Sequence, residues 1–164
     1  MNSRENIYKI TSTILMLDQF IKIIINRYIS LGSSVPVIPN FFSIMNLKNT
    51  GAAFSILEDS TVLLVIISVI VIVLLDRSIK KISKFEVLEE ISLGLIMGGI
   101  FGNLIDRIIH HGVIDYLSFK IFGYSFPVFN LADMAIVIGV GLYLIEIIKD
   151  KQRIRSKYNE QRRI

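Results

Sequence analysis

Fifteen consecutive residues, from Thr61 to Leu75, carry no charge, and all of them except Thr61 and Ser68 are aliphatic. Comparable apolar stretches recur on both sides. In all, 52% of the 164 residues are hydrophobic, 20% are charged, and the mean hydropathy is +0.61. A soluble domain usually carries about 25% charged residues. Runs of this length cannot all be hidden in so small a globule, because its surface would run out of polar cover. An ordinary soluble α/β or β-sandwich domain is excluded, as is a disordered chain. A sequence pI of 9.4 could suggest a nucleic-acid partner. However, residues 149–164 hold seven Lys and Arg against two acids, while residues 1–148 hold eleven against twelve. The basicity is a tail, and no nucleic-acid partner is expected. The chain reads as a membrane protein.

A helix needs roughly 20 mainly apolar residues to cross a hydrocarbon core of about 30 Å. Four segments have that length: about 7–29, interrupted by Asp18 and Lys22, then about 60–79, about 87–109 and about 129–148. The second is rich in Val and Ile, which favours a strand by propensity. A membrane strand needs only about 9–11 residues, however, and in lipid a helix satisfies its own backbone. Arg4 and Lys9 followed by apolar residues resemble a secretory leader. Asp18-Gln19 breaks that pattern and no small-residue cleavage site follows, so an uncleaved span is expected. The sequence predicts an all-α polytopic fold: a single four-helix membrane domain over residues 1–148 and a basic tail over 149–164.

Lys and Arg also set the expected orientation. Thirteen lie in the N-terminal flank, the connection near 80–86 and the tail; Arg27, Lys48, Arg107 and Lys120 lie on the other side. Positive residues favour the cytoplasm. Both termini are therefore expected inside, with the connections at about 30–59 and 110–128 facing outward. Gly94, Gly98 and Gly102 recur every fourth residue of the third segment, and Ala135 and Gly139 do the same in the fourth. Small residues at this spacing let helix backbones approach closely in lipid, so a compact bundle is expected.

Polar side chains within or at the edge of a span are costly and each needs a reason. Asp18 and Lys22, at i and i+4, form a plausible intrahelical ion pair with Lys22 snorkelling outward. Asn103, Asp106 and Arg107 share one face at the end of the third segment. Asp115 sits among apolar neighbours, and Asn130 with Asp133 resembles a helix-capping box. The expected orientation places Asn103, Arg107, Asp115, Asn130 and Asp133 at the outer surface, together with the stretch Asn49-Thr50-Gly51-Ala52-Ala53-Phe54. Two isolated carboxylates in a partly dehydrated site cannot both ionise cheaply, so one stays protonated while the other acts as base. That chemistry activates water against a peptide carbonyl.

Other chemistries fit less well. Cysteine is absent, and His110-His111 lacks metal-ligand spacing. No serine has a nucleophile-elbow context, and no phosphate-cradling glycine loop occurs. Neither a metal nor another cofactor is expected. A small proton-coupled transporter could use Asp18, Lys22 and Asp133 as a relay. Against it, the polar residues cluster at one face and no repeat of span pairs is present.

Five stretches occur in order: Asp18-Gln19-Phe20-Ile21-Lys22, Asn49 to Phe54, Gly98 to Arg107, Val113-Ile114-Asp115-Tyr116, and Phe126 to Asp133. Together they resemble the bacterial lipoprotein signal peptidase family (signal peptidase II), small membrane-embedded aspartic proteases, over about residues 7–148. The resemblance implies cleavage of diacylglyceryl-modified prolipoproteins immediately before the lipidated cysteine, in the bacterial cytoplasmic membrane. It implies that Asp115 and Asp133 are the catalytic dyad and that Asn49, Gly51, Asn103, Arg107 and Asn130 bind substrate. Asp18, Lys22 and Asp106 would support the site. It further implies a small extracytoplasmic β-cradle after the first span, a short amphipathic helix before the fourth, a monomer, and sensitivity to the cyclic peptide globomycin. Tyr116 stands where Phe is common, and the His110-His111 pair is not a signature of the family.

Overall fold

The computed structural model describes residues 3–51, 60–81 and 85–161. Among the described residues, four long helices and four strands follow one another in the order α1 (Ser3–Tyr28), β1 (Ser34–Ile38), β2 (Phe42–Asn49), α2 (Thr61–Lys81), α3 (Val87–His110), β3 (Val113–Ile121), β4 (Tyr124–Ser125) and α4 (Leu131–Gln161). Part of the Asn49-to-Phe54 stretch, from Ala52 onward, lies outside the described residues.

The third segment is the hub. α3 packs extensively against α1 on one side and α4 on another, and less against α2. Its small residues make this possible. A Cβ added at Gly94 would stand 2.6 Å from the Ile10 Cβ, and one at Gly98 would stand 2.7 Å from the Ile14 Cβ. At Gly102 it would strike the Asp18 carboxylate. On the α4 side, a Cβ at Gly139 would come within 2.8 Å of the Ser92 carbonyl oxygen. The expected stripe is thus a real pair of close backbone contacts.

Among the described residues, three helices, α2, α3 and α4, are long and apolar enough to cross a membrane. α1 is long enough, at 26 residues, but every 18-residue stretch of it holds at least three charged side chains. Two of these, Asp18 and Lys22, are buried, whereas Met16, Phe20 and Ile23 on other faces are exposed. α1 therefore keeps its central charges inside the bundle and presents apolar groups outward. Exposed aliphatic residues also cover α2 and much of α4, as a lipid-facing surface requires.

The strands form one antiparallel sheet in the order β1-β2-β3-β4 at one end of the bundle. This sheet is larger than a cradle built only after the first span. The short amphipathic helix expected before the last span is not formed: residues 113–125 are β3, a turn and β4. The reason lies in the pairing partner. Asn49, Leu47 and Ile44 of β2 stand opposite Val113, Asp115 and Leu117, so β3 completes its backbone hydrogen bonds in a ladder. Aromatic rings reinforce it, with Phe119 stacked on Phe42 at 4.7 Å and on Phe129 at 5.8 Å. α4 continues as one helix past residue 148 through Gln161, so its basic residues from Lys149 onward extend the last helix.

Candidate active site

Asp115 points from the middle of β3 and is 2% exposed. The register of β2 shifts between Ile44 and Leu47. Within that shift, Asn46 is anchored by hydrogen bonds from its Nδ2 to Asn26 Oδ1 (3.0 Å) and to the Ile29 carbonyl (2.8 Å). Beyond the shift, Asn49 reaches the acid, its Nδ2 donating to Asp115 Oδ2 at 3.0 Å. Its Oδ1 in turn accepts from the Gly51 amide at 2.9 Å.

Asp133 lies in the first turn of α4, and the Asn130–Asp133 capping box is formed. The Asp133 amide donates to Asn130 Oδ1 at 2.9 Å, and the Asn130 amide donates to Asp133 Oδ2 at 3.3 Å. Capping leaves one carboxylate oxygen over, and Asp133 Oδ1 accepts from Asn103 Nδ2 at 2.7 Å. Asn130 also spans the gap to the other acid, its Nδ2 donating to Asp115 Oδ1 at 2.7 Å. Capping and the contacts to Asp115 and Asn103 thus use different atoms of the box.

Behind these residues is a buried ionic cluster. Lys22 Nζ stands 2.8 Å from both Asp18 Oδ2 and Asp106 Oδ2 and donates to Asn103 Oδ1 at 3.1 Å. The expected Asp18–Lys22 pair exists, but Lys22 does not snorkel outward. It is 2% exposed, drawn inward because Asp106 offers a second carboxylate. The two carboxylates also brace the site: Asp18 Oδ1 accepts from the Ala132 amide at 3.0 Å, and Asp106 Oδ2, besides its pairing with Lys22, accepts from the Ile114 amide at 3.1 Å. Two side chains absent from the expected site complete the bracing. Gln19 donates to Asp106 Oδ1 at 2.9 Å, and the Tyr116 hydroxyl accepts from the Leu131 amide at 3.1 Å. An amide inside a span was the signal for Gln19; for Tyr116 there was only its departure from Phe.

Asn49, Asn103, Arg107, Asp115 and Asp133 line one cavity of about 750 Å³. Asn130, Asp18, Lys22 and Asp106 lie behind its wall. Gly51 is also outside the lining, but its carbonyl accepts from Arg107 Nη2 at 3.2 Å, and Arg107 Nη1 reaches the Asn103 carbonyl at 3.3 Å. From the acids the cavity continues as an apolar trough, with Ser68 of α2, Ile100 of α3 and Val137 of α4 in its walls. His110 and His111 are exposed, and no cluster of His, Asp and Glu suited to a metal ion occurs among the described residues.

Burial raises the Asp115 carboxyl to about 7, and the like charge of Asp133 adds to the rise. Hydrogen bonds from Asn49 and Asn130 and the Lys22 charge oppose it. A buried acid beside a second acid is the arrangement that keeps one proton on a pair near neutral pH.

The signal peptidase (SPase) II family matches residues 10–149. The chain belongs to the signal peptidase II family. It is therefore a peptidase by kinship. Among relatives, it is 36% identical over 152 residues to the lipoprotein signal peptidase of Halalkalibacterium halodurans, covering 93% of this chain and 97% of that one. It is 37% identical over 148 residues to the lipoprotein signal peptidase of Brevibacillus brevis, covering 90% and 98%. Two solved structures of a bacterial membrane enzyme, each 35% identical, superpose with TM-scores of 0.81 and 0.76. They cover 88% and 86% of this chain and 88% and 91% of their own. The signal peptidase II kinship thus spans the helices, the sheet and every residue lining the polar end of the cavity.

Proposed function

We propose that this signal peptidase II family member is a membrane-embedded aspartic endopeptidase. It removes signal peptides from diacylglyceryl-modified prolipoproteins by cleaving immediately before the lipidated cysteine. One observation carries the reading: Asp115 and Asp133, from a strand and a helix 18 residues apart in sequence, line the same cavity and are bridged by Asn130.

The shared proton rests on Asp115, the more buried acid, and Asp133, in the first turn of α4, is its partner. A water molecule between them attacks the scissile carbonyl carbon. Asp133 takes a proton from the water as the new C–O bond forms, and Asp115 gives its own to the carbonyl oxygen. The tetrahedral intermediate then collapses: Asp133 protonates the departing amine nitrogen, the C–N bond breaks, and Asp115 recovers its proton from the hydroxyl. Asn49 and Asn130 hold Asp115, Asn103 holds Asp133, and Arg107 with Gly51 orients the substrate backbone or headgroup. Asp18, Lys22 and Asp106 keep the wall rigid. The apolar trough receives the diacylglyceryl chains, so part of the binding free energy comes from the anchor.

In the membrane, α1 is the fourth span, its charges turned inward. Both termini are cytoplasmic, the basic end of α4 lies in the cytoplasm, and the sheet and dyad are at the outer face, as the Lys and Arg distribution favours. Globomycin inhibits the enzyme, which acts as a monomer on its prolipoprotein substrate in the bacterial cytoplasmic membrane. The test is a gel-shift assay of purified protein with a lipidated precursor, with and without chelator. Equal cleavage in both arms is expected. Cleavage blocked by chelator would assign a metalloprotease, and no cleavage in either arm would overturn the proposal.

A further inference from the structure

A second cavity, of about 440 Å³, shares no residue with the first. It lies between α1 and α2 with α3 as its floor. Both helices pack on α3 and scarcely touch one another, which leaves a slot open along the bundle surface.

The lining is graded in polarity. At one end the Tyr8 hydroxyl donates to Asp76 Oδ1 at 2.7 Å, and Lys80 pairs with Asp76 Oδ2 at 2.7 Å. The Asp76 charge is thereby already balanced. Its neighbour Arg77 also lines the slot, is exposed, and has no hydrogen bond or ion pair among the described residues. One turn along α1 lies Ser12, and beyond it the floor is Met97 and Phe101. A cation at the mouth, a hydroxyl next and an apolar floor match, in order, the phosphate, ester and acyl chain of a phospholipid.

Length and charge select a lipid. The slot follows α1 from Tyr8 to Leu15, about 10 Å at 1.5 Å per residue. That length is within the roughly 15 Å of one leaflet's hydrocarbon. The uncompensated Arg77 at its polar end favours an anionic headgroup over a zwitterionic one.

We infer that the slot between α1 and α2 binds one anionic phospholipid, its phosphate on Arg77 and an acyl chain against Met97 and Phe101. The inference rests on the membrane reading alone and is independent of the peptidase chemistry. It is tested by native mass spectrometry of the full-length protein in detergent, titrated with phosphatidylglycerol or phosphatidylcholine of the same acyl chains. Phosphatidylglycerol is expected to bind at least tenfold more tightly. Arg77→Gln should reduce that preference to within about twofold, while Lys151→Gln, a cation on the exposed end of α4, should leave it intact. Ser12→Phe, which fills the slot from an exposed position, should weaken both lipids. Equal affinity for the two lipids in the wild type would overturn the site, as would a preference that survives Arg77→Gln. So would binding unaffected by Ser12→Phe, or a lipid-free dimer that Ser12→Phe dissociates.

Discussion

Asn130 holds Asp115 by a 2.7 Å hydrogen bond from its side-chain amide to Oδ1, and with the other end of that amide it caps the helix bearing Asp133. One side chain therefore sets the separation of the two acids. Serine caps a helix about as well as asparagine, but it is too short to reach Asp115. Asn130→Ser should keep α4 folded and lose the hydrogen bond to the protonated Asp115, together with the longer ones to Asn103 Oδ1 (3.3 Å) and the Ile114 carbonyl (3.4 Å). The first is worth about 0.5–1.5 kcal/mol, or roughly 2- to 10-fold in kcat. Asn130→Ala should lose the cap as well and lower Tm further. Turnover of a lipidated precursor, measured beside thermal unfolding, separates the two effects.

The pH dependence follows from Asp115, raised to about 7 chiefly by burial and then by Asp133. Because kcat/KM reports the free enzyme, it should fall about tenfold per pH unit above about 7, as the shared proton is lost. Stability has the same sign. An acid whose folded pKa exceeds its unfolded value near 3.9 stabilises the fold below that value, and the contribution is lost as pH rises toward about 7. Tm should fall across that window and fall less in Asp115→Asn. A kcat/KM flat from about pH 6 to about pH 9 would contradict this.

Lys22 pairs with two buried carboxylates at 2.8 Å each. Lys22→Met leaves both without their cation, and removing one partner from a buried pair costs about 3–5 kcal/mol. A large drop in Tm is expected, with partial recovery when Asp18→Asn and Asp106→Asn are added to Lys22→Met. A Tm unchanged by Lys22→Met would show that the cluster is not structural.

Much of this was legible in the chain. Uninterrupted apolar runs located α2, α3 and α4, because length and hydropathy suffice in lipid. The glycine spacing of α3 foretold its two tight faces, since a missing side chain leaves a periodic trace. Asn130 and Asp133 were visible both as a cap and as site residues. What was not legible depended on distant partners. The inward turn of Lys22 is decided by Asp106, 84 residues away, and local spacing carries no trace of that carboxylate. The strand character of residues 113–121 is decided by the free edge of β2, which an isolated segment does not reveal. Tyr116 was noticed as a departure, but its capping of Leu131 needed the fold.

The dyad is tested most directly by Asp115→Asn and Asp133→Asn in the lipidated-precursor cleavage assay. Each substitution keeps the size of the side chain and removes its ability to hold or accept the shared proton. Both variants should insert into the membrane and retain a cooperative thermal transition. Turnover should fall by at least about 100-fold, the lower end of what a positioned acid or base contributes. Near-wild-type turnover in either variant would contradict the assignment of Asp115 and Asp133 as the catalytic pair.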